Sequence, residues 1–155
     1  MANNLYPEGY EEETMATTDT ENSDPIGYKP GLAFDLEKGD FVRDGRDILL
    51  EASGVDSWKQ WCTNCLQTER YKHLAYSTDF GIEYDAVFSA ETQEEAESIL
   101  TRQITEAIMA DPYGRTAYIS DLEFNWIAPD GVQISLTIVG IDDVTIDLTT
   151  YIQNT

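Results

Sequence analysis

The residues in this chain whose types and spacing could carry chemistry lie close together: Cys62-Thr-Asn-Cys65, Glu69-Arg70, His73, Ser77, Asp79, Glu83 and Asp85. A C-x-x-C pair suits dithiol chemistry when its first thiol sits at an exposed helix start after a strand. Here both thiols fall mid-way along a helical pattern, on the stripe of Trp58, Trp61 and Leu66, so buried, inert thiols are expected. Structural zinc asks for four ligands, and the chain offers two Cys and one His. His73 would have to serve any Ser-His-Asp site with Ser77 and Asp79, but no strand–Gly-x-Ser-x-Gly–helix context surrounds it. A surface or loop histidine beside Lys72 is expected. Paired carboxylates are the more serious enzymatic option. Glu69 with Asp79, Glu83 or Asp85 could hydrolyse a glycoside if two acids stood ~5–10 Å apart across one cleft. With 30 Asp and Glu in 155 residues, four acids in so short a stretch need no catalytic explanation, and solvated carboxylates are the preferred reading.

Glu69-Arg70 is a different case. Arg70 near the end of a helix suits the negative end of the helix dipole, and Glu69 does not. An acid retained there implies a partner: Arg70 itself, another base, or backbone donors of a neighbouring loop. With Tyr71 and Tyr76 beside it, the pair is expected to be partly buried and to hold the loop 74–84, with its Phe80-Gly81 turn, against the second helix.

The elements that must position these residues follow from periodicity. Leu32, Phe34 and Leu36 alternate as a strand, Lys38-Gly-Asp40 turns, Phe41-Val42 returns, and Ile48-Leu-Leu50 follows a turn at Asp44-Gly45. Asp56 or Ser57 caps the Trp58 helix. Thr92-Gln-Glu-Glu95 is a capping box for a second helix, whose apolar face is Ala96, Ile99, Leu100, Ile104, Ala107 and Ile108 and which stops at Asp111-Pro112. Three strands close the chain. Tyr118, Ser120, Leu122, Phe124 and Trp126 share one face; Val132, Ile134, Leu136 and Ile138 the next; Val144, Ile146 and Leu148 the last. The fold class is α+β: two main helices packed on an antiparallel sheet, with an N-terminal hairpin and a C-terminal β-meander.

Residues 1–30 are expected to be a flexible acidic arm preceding a single α+β domain over 31–155, with Tyr6, Tyr10, Ile26 and Tyr28 as handles for a neighbour. The net charge is −21, and the acids continue well beyond the arm. Such a chain is repelled by phosphate backbones and anionic lipid, which argues against direct binding of nucleic acid or membrane. Charge of this size keeps copies apart, and it suits a partner with a basic face. No apolar run is long enough to span a bilayer, and the start Met-Ala-Asn-Asn resembles neither a signal nor a transit peptide. The expectation is a protein kept in a cytoplasm or in a particle assembled there.

One combination is closer to a signature. A strand pair carries Phe34-Asp-Leu-Glu-Lys-Gly-Asp40, and a Gln60-Trp61 helix leads to Leu66-Gln-Thr-Glu-Arg-Tyr71. Then come Tyr76-Ser-Thr-Asp-Phe-Gly-Ile-Glu83 and the helix Ile99-Leu-Thr-Arg-Gln-Ile-Thr-Glu-Ala107. Over roughly residues 30 to 140 this order resembles the XkdS-like baseplate proteins of contractile phage tails and prophage tail-like particles. That group is similar to the lysozyme-named baseplate wedge and sheath-initiator family.

The resemblance implies a virion component of the tail baseplate, assembled in the host cytoplasm, with no catalytic, cofactor or metal site. Its implied partners are other wedge proteins, the tail sheath protein and tube or hub proteins, and its implied role is to link the wedge to the first sheath ring. The residues implied at structural or interface positions are Glu69, Arg70, Tyr71, Tyr76 and Phe80, then Asp111, Pro112, Tyr113 and Arg115, then Val144, Ile146 and Leu148 on a strand edge. The wider family carries Glu-Pro-Arg where this chain has Asp111-Pro112-Tyr113-Gly114-Arg115, so either Tyr113 or Arg115 takes the arginine's place. The last strand, Val144 to Ile152, carries one charge and no proline, as a strand open to addition would; the alternative is that it is central or covered by the N-terminal hairpin. Two rival functions remain open at this point: a muramidase-type peptidoglycan hydrolase using Glu69, and an acidic nucleic-acid mimic that inhibits a DNA-binding enzyme.

Overall fold

The computed structural model describes residues 27–154. The acidic arm, with Tyr6, Tyr10 and Ile26, lies outside the described residues. Tyr28 does not act as an arm handle: its ring is buried against Trp58, with centroids 5.3 Å apart, and its hydroxyl donates to the Arg115 carbonyl (3.3 Å).

The expected α+β architecture is present. Four two-residue strands, β1 (Gly31–Leu32), β2 (Phe34–Asp35), β3 (Asp40–Phe41) and β4 (Glu51–Ala52), form an N-terminal lobe. Helices α1 (Gly54–Gln67), α2 (Tyr84–Phe88) and α3 (Gln93–Met109) follow. The meander β5 (Thr116–Ala128), β6 (Gly131–Gly140) and β7 (Thr145–Gln153) has the spatial order β5-β6-β7, antiparallel throughout. The core lies between α1, α3 and the inner face of the meander, built on Trp58, Leu66, Leu100, Ile104, Ile108, Ile134, Ile138 and Ile152.

Local chemistry explains the boundaries. Helix α1 begins earlier than Asp56 or Ser57, because the Ser53 hydroxyl accepts the Asp56 N–H and donates to the Asp56 carboxylate, leaving Ser53 as the cap. Thr92 caps α3 through the Glu95 N–H, and Glu95 reaches back one residue further than expected, to the Glu91 N–H. The periodicity does not reveal α2, a single short turn that delivers Val87 to the core.

β5 also departs from strict alternation. Ile119 pairs with Ile138 and Asp121 with Thr137, so Ser120 is an extra, bulged residue; Ala117 and Ile127 are bulged likewise. Each bulge shifts the phase by one. Leu122, Phe124 and Trp126 face the core as expected, but Tyr118 and Ser120 face solvent and Ile119 takes the inward position. On β7 the expected face holds, with Ile146, Leu148, Thr150 and Ile152 buried.

Tyr28 closes the core at a place where glycine is required. A Cβ on Gly140 would lie 1.8 Å from the Tyr28 hydroxyl and 3.0 Å from the Trp58 ring. Tyr28→Ala is therefore expected to destabilise the chain by about 3 kcal/mol or more in urea melts, as a core aromatic deletion does, and Tyr28→Phe by about 1 kcal/mol or less for its single long hydrogen bond.

Candidate functional site

The sequence-derived residues gather at the end of the molecule where α1 and α3 finish. Beyond α1 the chain forms a short parallel bridge between Glu69 and Ile82: Arg70 N–H donates to the Ile82 carbonyl (2.9 Å) and Ile82 N–H to the Thr68 carbonyl (3.0 Å). Gly81 makes this approach possible. It has φ +94°, and a Cβ there would stand 2.5 Å from the Thr68 carbonyl oxygen.

Glu69 and Arg70 do not pair with each other. Glu69 binds Lys72 (2.6 Å), while Arg70 turns inward, donating from Nε to the Gly81 carbonyl (2.9 Å) and from Nη1 to Glu106 on α3 (3.5 Å). Divergent side chains after the helix end, with Tyr71 at φ +69°, separate the two neighbours. Through these two bonds Arg70, and not Glu69, links the loop to α3. Its Nη2 is buried with no hydrogen-bond partner among the described residues.

The second cluster is more deeply buried. Asp111 and Arg115 form a bidentate ion pair, Nε to Oδ2 at 2.8 Å and Nη2 to Oδ1 at 2.9 Å, with side chains 1% and 4% exposed. Asp111 also accepts the backbone N–H groups of Tyr113 (3.2 Å) and Arg115 (3.0 Å). Burial pushes the Asp111 pKa up, but the Arg115 side chain and these N–H groups outweigh it and hold the carboxyl below its ordinary value. The guanidinium lies over the Tyr113 ring at 5.0 Å and the Trp61 ring at 5.9 Å. Arg115, not Tyr113, therefore takes the acid's partner position, and Tyr113 stays exposed.

Between the two clusters runs an apolar groove of about 500 Å³ lined by Trp61, Tyr76, Phe80, Ala107, Ala110 and Pro112, with Asn64, Ser77 and Asp79 among its polar groups. Tyr76 stacks on Phe80 at 4.4 Å, and Phe80 meets Trp61 edge-on at 5.6 Å. The sequence reading missed Trp61, Ala107 and Ala110 as groove residues, because helical periodicity assigns Trp61 and Ala107 simply to the core and does not mark Ala110, which follows the end of α3.

The chemical candidates are dispersed. Glu69, Glu83 and Asp85 line a separate cavity of about 250 Å³, whereas Asp79 lines the apolar groove. Cys62 and Cys65 are buried; burial raises both thiol pKa values, Cys65 to about 11. His73 is exposed and packs edge-on near Tyr76. Among the described residues no group of three or more His, Cys, Asp or Glu is placed to hold a metal ion, and no helix is long and apolar enough to cross a membrane.

With that geometry in place, comparison with protein families is decisive. The sequence pattern of the contractile injection system sheath initiators matches residues 31–143. The chain belongs to the sheath initiator family. It is accordingly a structural component of a contractile injection system, with the sheath and baseplate as its setting. The match begins at the N-terminal lobe and ends in the β6–β7 turn, so it spans both buried clusters. No curated protein matches the chain.

Two outcomes test the clusters. Asp111→Asn leaves the Arg115 charge buried without its counter-charge and is expected to cost about 3–5 kcal/mol. Because the folded pKa of Asp111 lies below the unfolded value, the pair's contribution is fully present above pH ~4 and is lost as pH falls through the folded value. Acid titration of wild type and Asp111→Asn, followed by tryptophan fluorescence, should show this carboxyl's share of acid sensitivity only in the wild type. Arg70→Ala is expected to cost about 2–3 kcal/mol in denaturant melts through the orphaned Gly81 carbonyl and lost packing, and Glu106→Gln under about 1 kcal/mol because Glu106 is half exposed.

Proposed function

We propose that this sheath initiator joins the baseplate wedge to the first ring of the sheath, using two separate surfaces and no catalytic activity. The observation that carries the reading is the free outer edge of β7. Nine residues long, with Asp147 as its single charge and no proline, β7 has no backbone hydrogen bond on its outer side among the described residues. The opposite edge, β5, is bulged three times and carries Asp121 and Glu123, features that discourage strand addition.

The ladder's phase supports the same reading. Gly140 N–H donates to the Val144 carbonyl (2.7 Å), so the even-numbered residues from Ile146 to Ile152 bond inward to β6. Thr145, Asp147, Thr149 and Tyr151 then point their N–H groups away from the sheet. A strand from the sheath protein would take these donors, and the β7 edge would supply the template. The wedge proteins would meet a second surface, the groove of Trp61, Tyr76 and Phe80 with the exposed Pro112-Tyr113 corner held by Arg115. Tyr71 is also exposed there, beside Glu69 and Lys72. Asp79 lies in the other cavity, and although Glu83 and Asp85 share the Glu69 cavity, Glu69 is held in an ion pair with Lys72, which does not suit it as a general acid for hydrolysis.

Replacing Thr145 and Thr149 with proline removes two outward donors and leaves the inward ladder intact. The expected result is a folded, cooperatively melting subunit whose particles carry tubes and baseplates without an attached sheath in electron micrographs. Normal sheathed particles would reject the edge as the sheath contact. Loss of folding would mean those N–H groups are engaged within the chain, and the reading falls.

A further inference from the structure

The N-terminal lobe has the composition of a core and contains none. Between Gly31 and Ala52 stand Leu, Ile, Phe and Val residues in ordinary core proportion, yet no residue from 29 to 53 is buried. The lobe is held by backbone bonds instead: Ala33 N–H donates to Leu50, Leu50 to Val42 and Val42 to Ala33, a closed ring of three (2.9, 2.9 and 2.8 Å). Gln60 of α1 adds a donor and an acceptor, to the Leu32 carbonyl and the Phe34 N–H.

The orientation of the lobe is the reverse of what burial would favour. Gly31 and its partner Ala52 occupy the face toward α1, where a Cβ on Gly31 would meet the Ser57 hydroxyl at 2.5 Å. The large side chains are on the other face. Leu32 and Phe34 alternate with the small residues, Phe34 pairs with Phe41 with rings 5.2 Å apart, and Leu32, Leu36 and Phe41 are each about two-fifths exposed. A contiguous apolar face turned outward on a small lobe is surface that a partner covers.

The charge around this face selects the partner. Asp35 is tied to Lys38 and Asp47 to Arg43, whereas Glu37 in the β2–β3 turn and Glu51, in register with Leu32, have no cationic partner among the described residues; Asp40 alternates with Phe41 and stands on the reverse face. Six acids against Lys38, Arg43 and Arg46 leave residues 31–52 net acidic on a chain of net charge −21, and Glu37 and Glu51 flank the apolar face. A second copy would bring the same carboxylates to the same rim. We infer that the outer face of the lobe docks a cationic amphipathic helix of another protein, its apolar stripe on Leu32, Phe34 and Phe41 and its Lys or Arg flanks on Glu37 and Glu51. This surface is distinct from the β7 edge and from the groove, and stands whether or not those contact sheath and wedge.

The test titrates the full-length, isotope-labelled chain with a synthetic helix of ~18 residues, about five turns, built of Leu and Lys, and with its Leu and Glu counterpart. The expected result is amide shifts confined to residues 31–52, with the Leu/Lys helix alone. Leu32→Ser with Phe41→Ser should weaken binding about tenfold or more, and Tyr118→Ser with Ile127→Ser, two exposed apolar residues of β5, should leave it unchanged. Shifts spread over the whole acidic surface, or equal binding by both double variants, would reduce the effect to bulk charge and overturn the inference. Equal binding of the Leu/Glu helix would do the same. A dimer in light scattering that the lobe variant abolishes would make a second copy the occupant. Binding that emerges only after deletion of residues 2–26 would make the chain's own N-terminus the occupant. If the lobe variant does not fold, the shift map on the native chain decides.

Discussion

The Asp111–Arg115 ion pair is the constraint on which the rest of the architecture depends. It joins the end of α3 to the start of β5, so it sets the angle at which the helical layer meets the sheet. Three further segments hang from Arg115 itself: its carbonyl accepts the Tyr28 hydroxyl and the Ile141 N–H, and its guanidinium lies over Trp61 of α1. Taking two charges out of water is expensive, and the pair persists because the geometry is bidentate and two backbone N–H groups complete the carboxylate. A hydrophobic pair of the same volume could hold the segments together, but it would not fix their register. What the ion pair adds is a single relation between α1, α3 and the meander.

That relation holds the two proposed contact surfaces in one unit, with α1 packed along β7 and Gln67 at its end bonded to Thr150. The groove belongs to the helix ends and the loop 74–84, which Arg70 fastens to α3; the free edge belongs to β7, two strands away from β5. On that proposal, force passed between them would travel through the core cluster of Trp58, Ile104, Ile138 and Ile152. The N-terminal lobe lies outside this path, joined to α1 by Gln60 and the contact of Gly31 with Ser57.

Legibility in the sequence followed the regularity of each element. Helix α3 and strands β6 and β7 keep one period from end to end, and their faces are readable directly. β5 keeps its period only between bulges; Tyr118 stands two positions before a polar residue that is itself the bulge, and no rule of alternation distinguishes Ser120 from an outward-facing serine. Helix α2 is one turn long, too short for any period to register. Glu69 and Arg70 were legible as unusual but not as separate, because their partners, Lys72 on one side and Gly81 with Glu106 on the other, are set by backbone angles past the helix end. Arg115 is four positions from Asp111 but across a turn, and Gly114 at φ +60° is what folds it back.

The charge of −21 acquires a structural meaning once the edge is located. An open β7 edge is complementary to another β7 edge, and nothing in its backbone distinguishes a sheath strand from a second copy of itself. Side chains make the distinction. Asp147 lies on the edge strand, held by Thr137, with Asp121 of β5 in register with that threonine across β6. Two such sheets brought edge to edge would set like charges within a Debye length of about 8 Å, where salt screens them poorly. A partner strand with a basic surround meets the same donors without that penalty. On the proposed reading, lack of proline keeps the edge available and the Asp147 and Asp121 carboxylates make it selective, so that strand addition would be permitted by the backbone and its partner chosen by electrostatics.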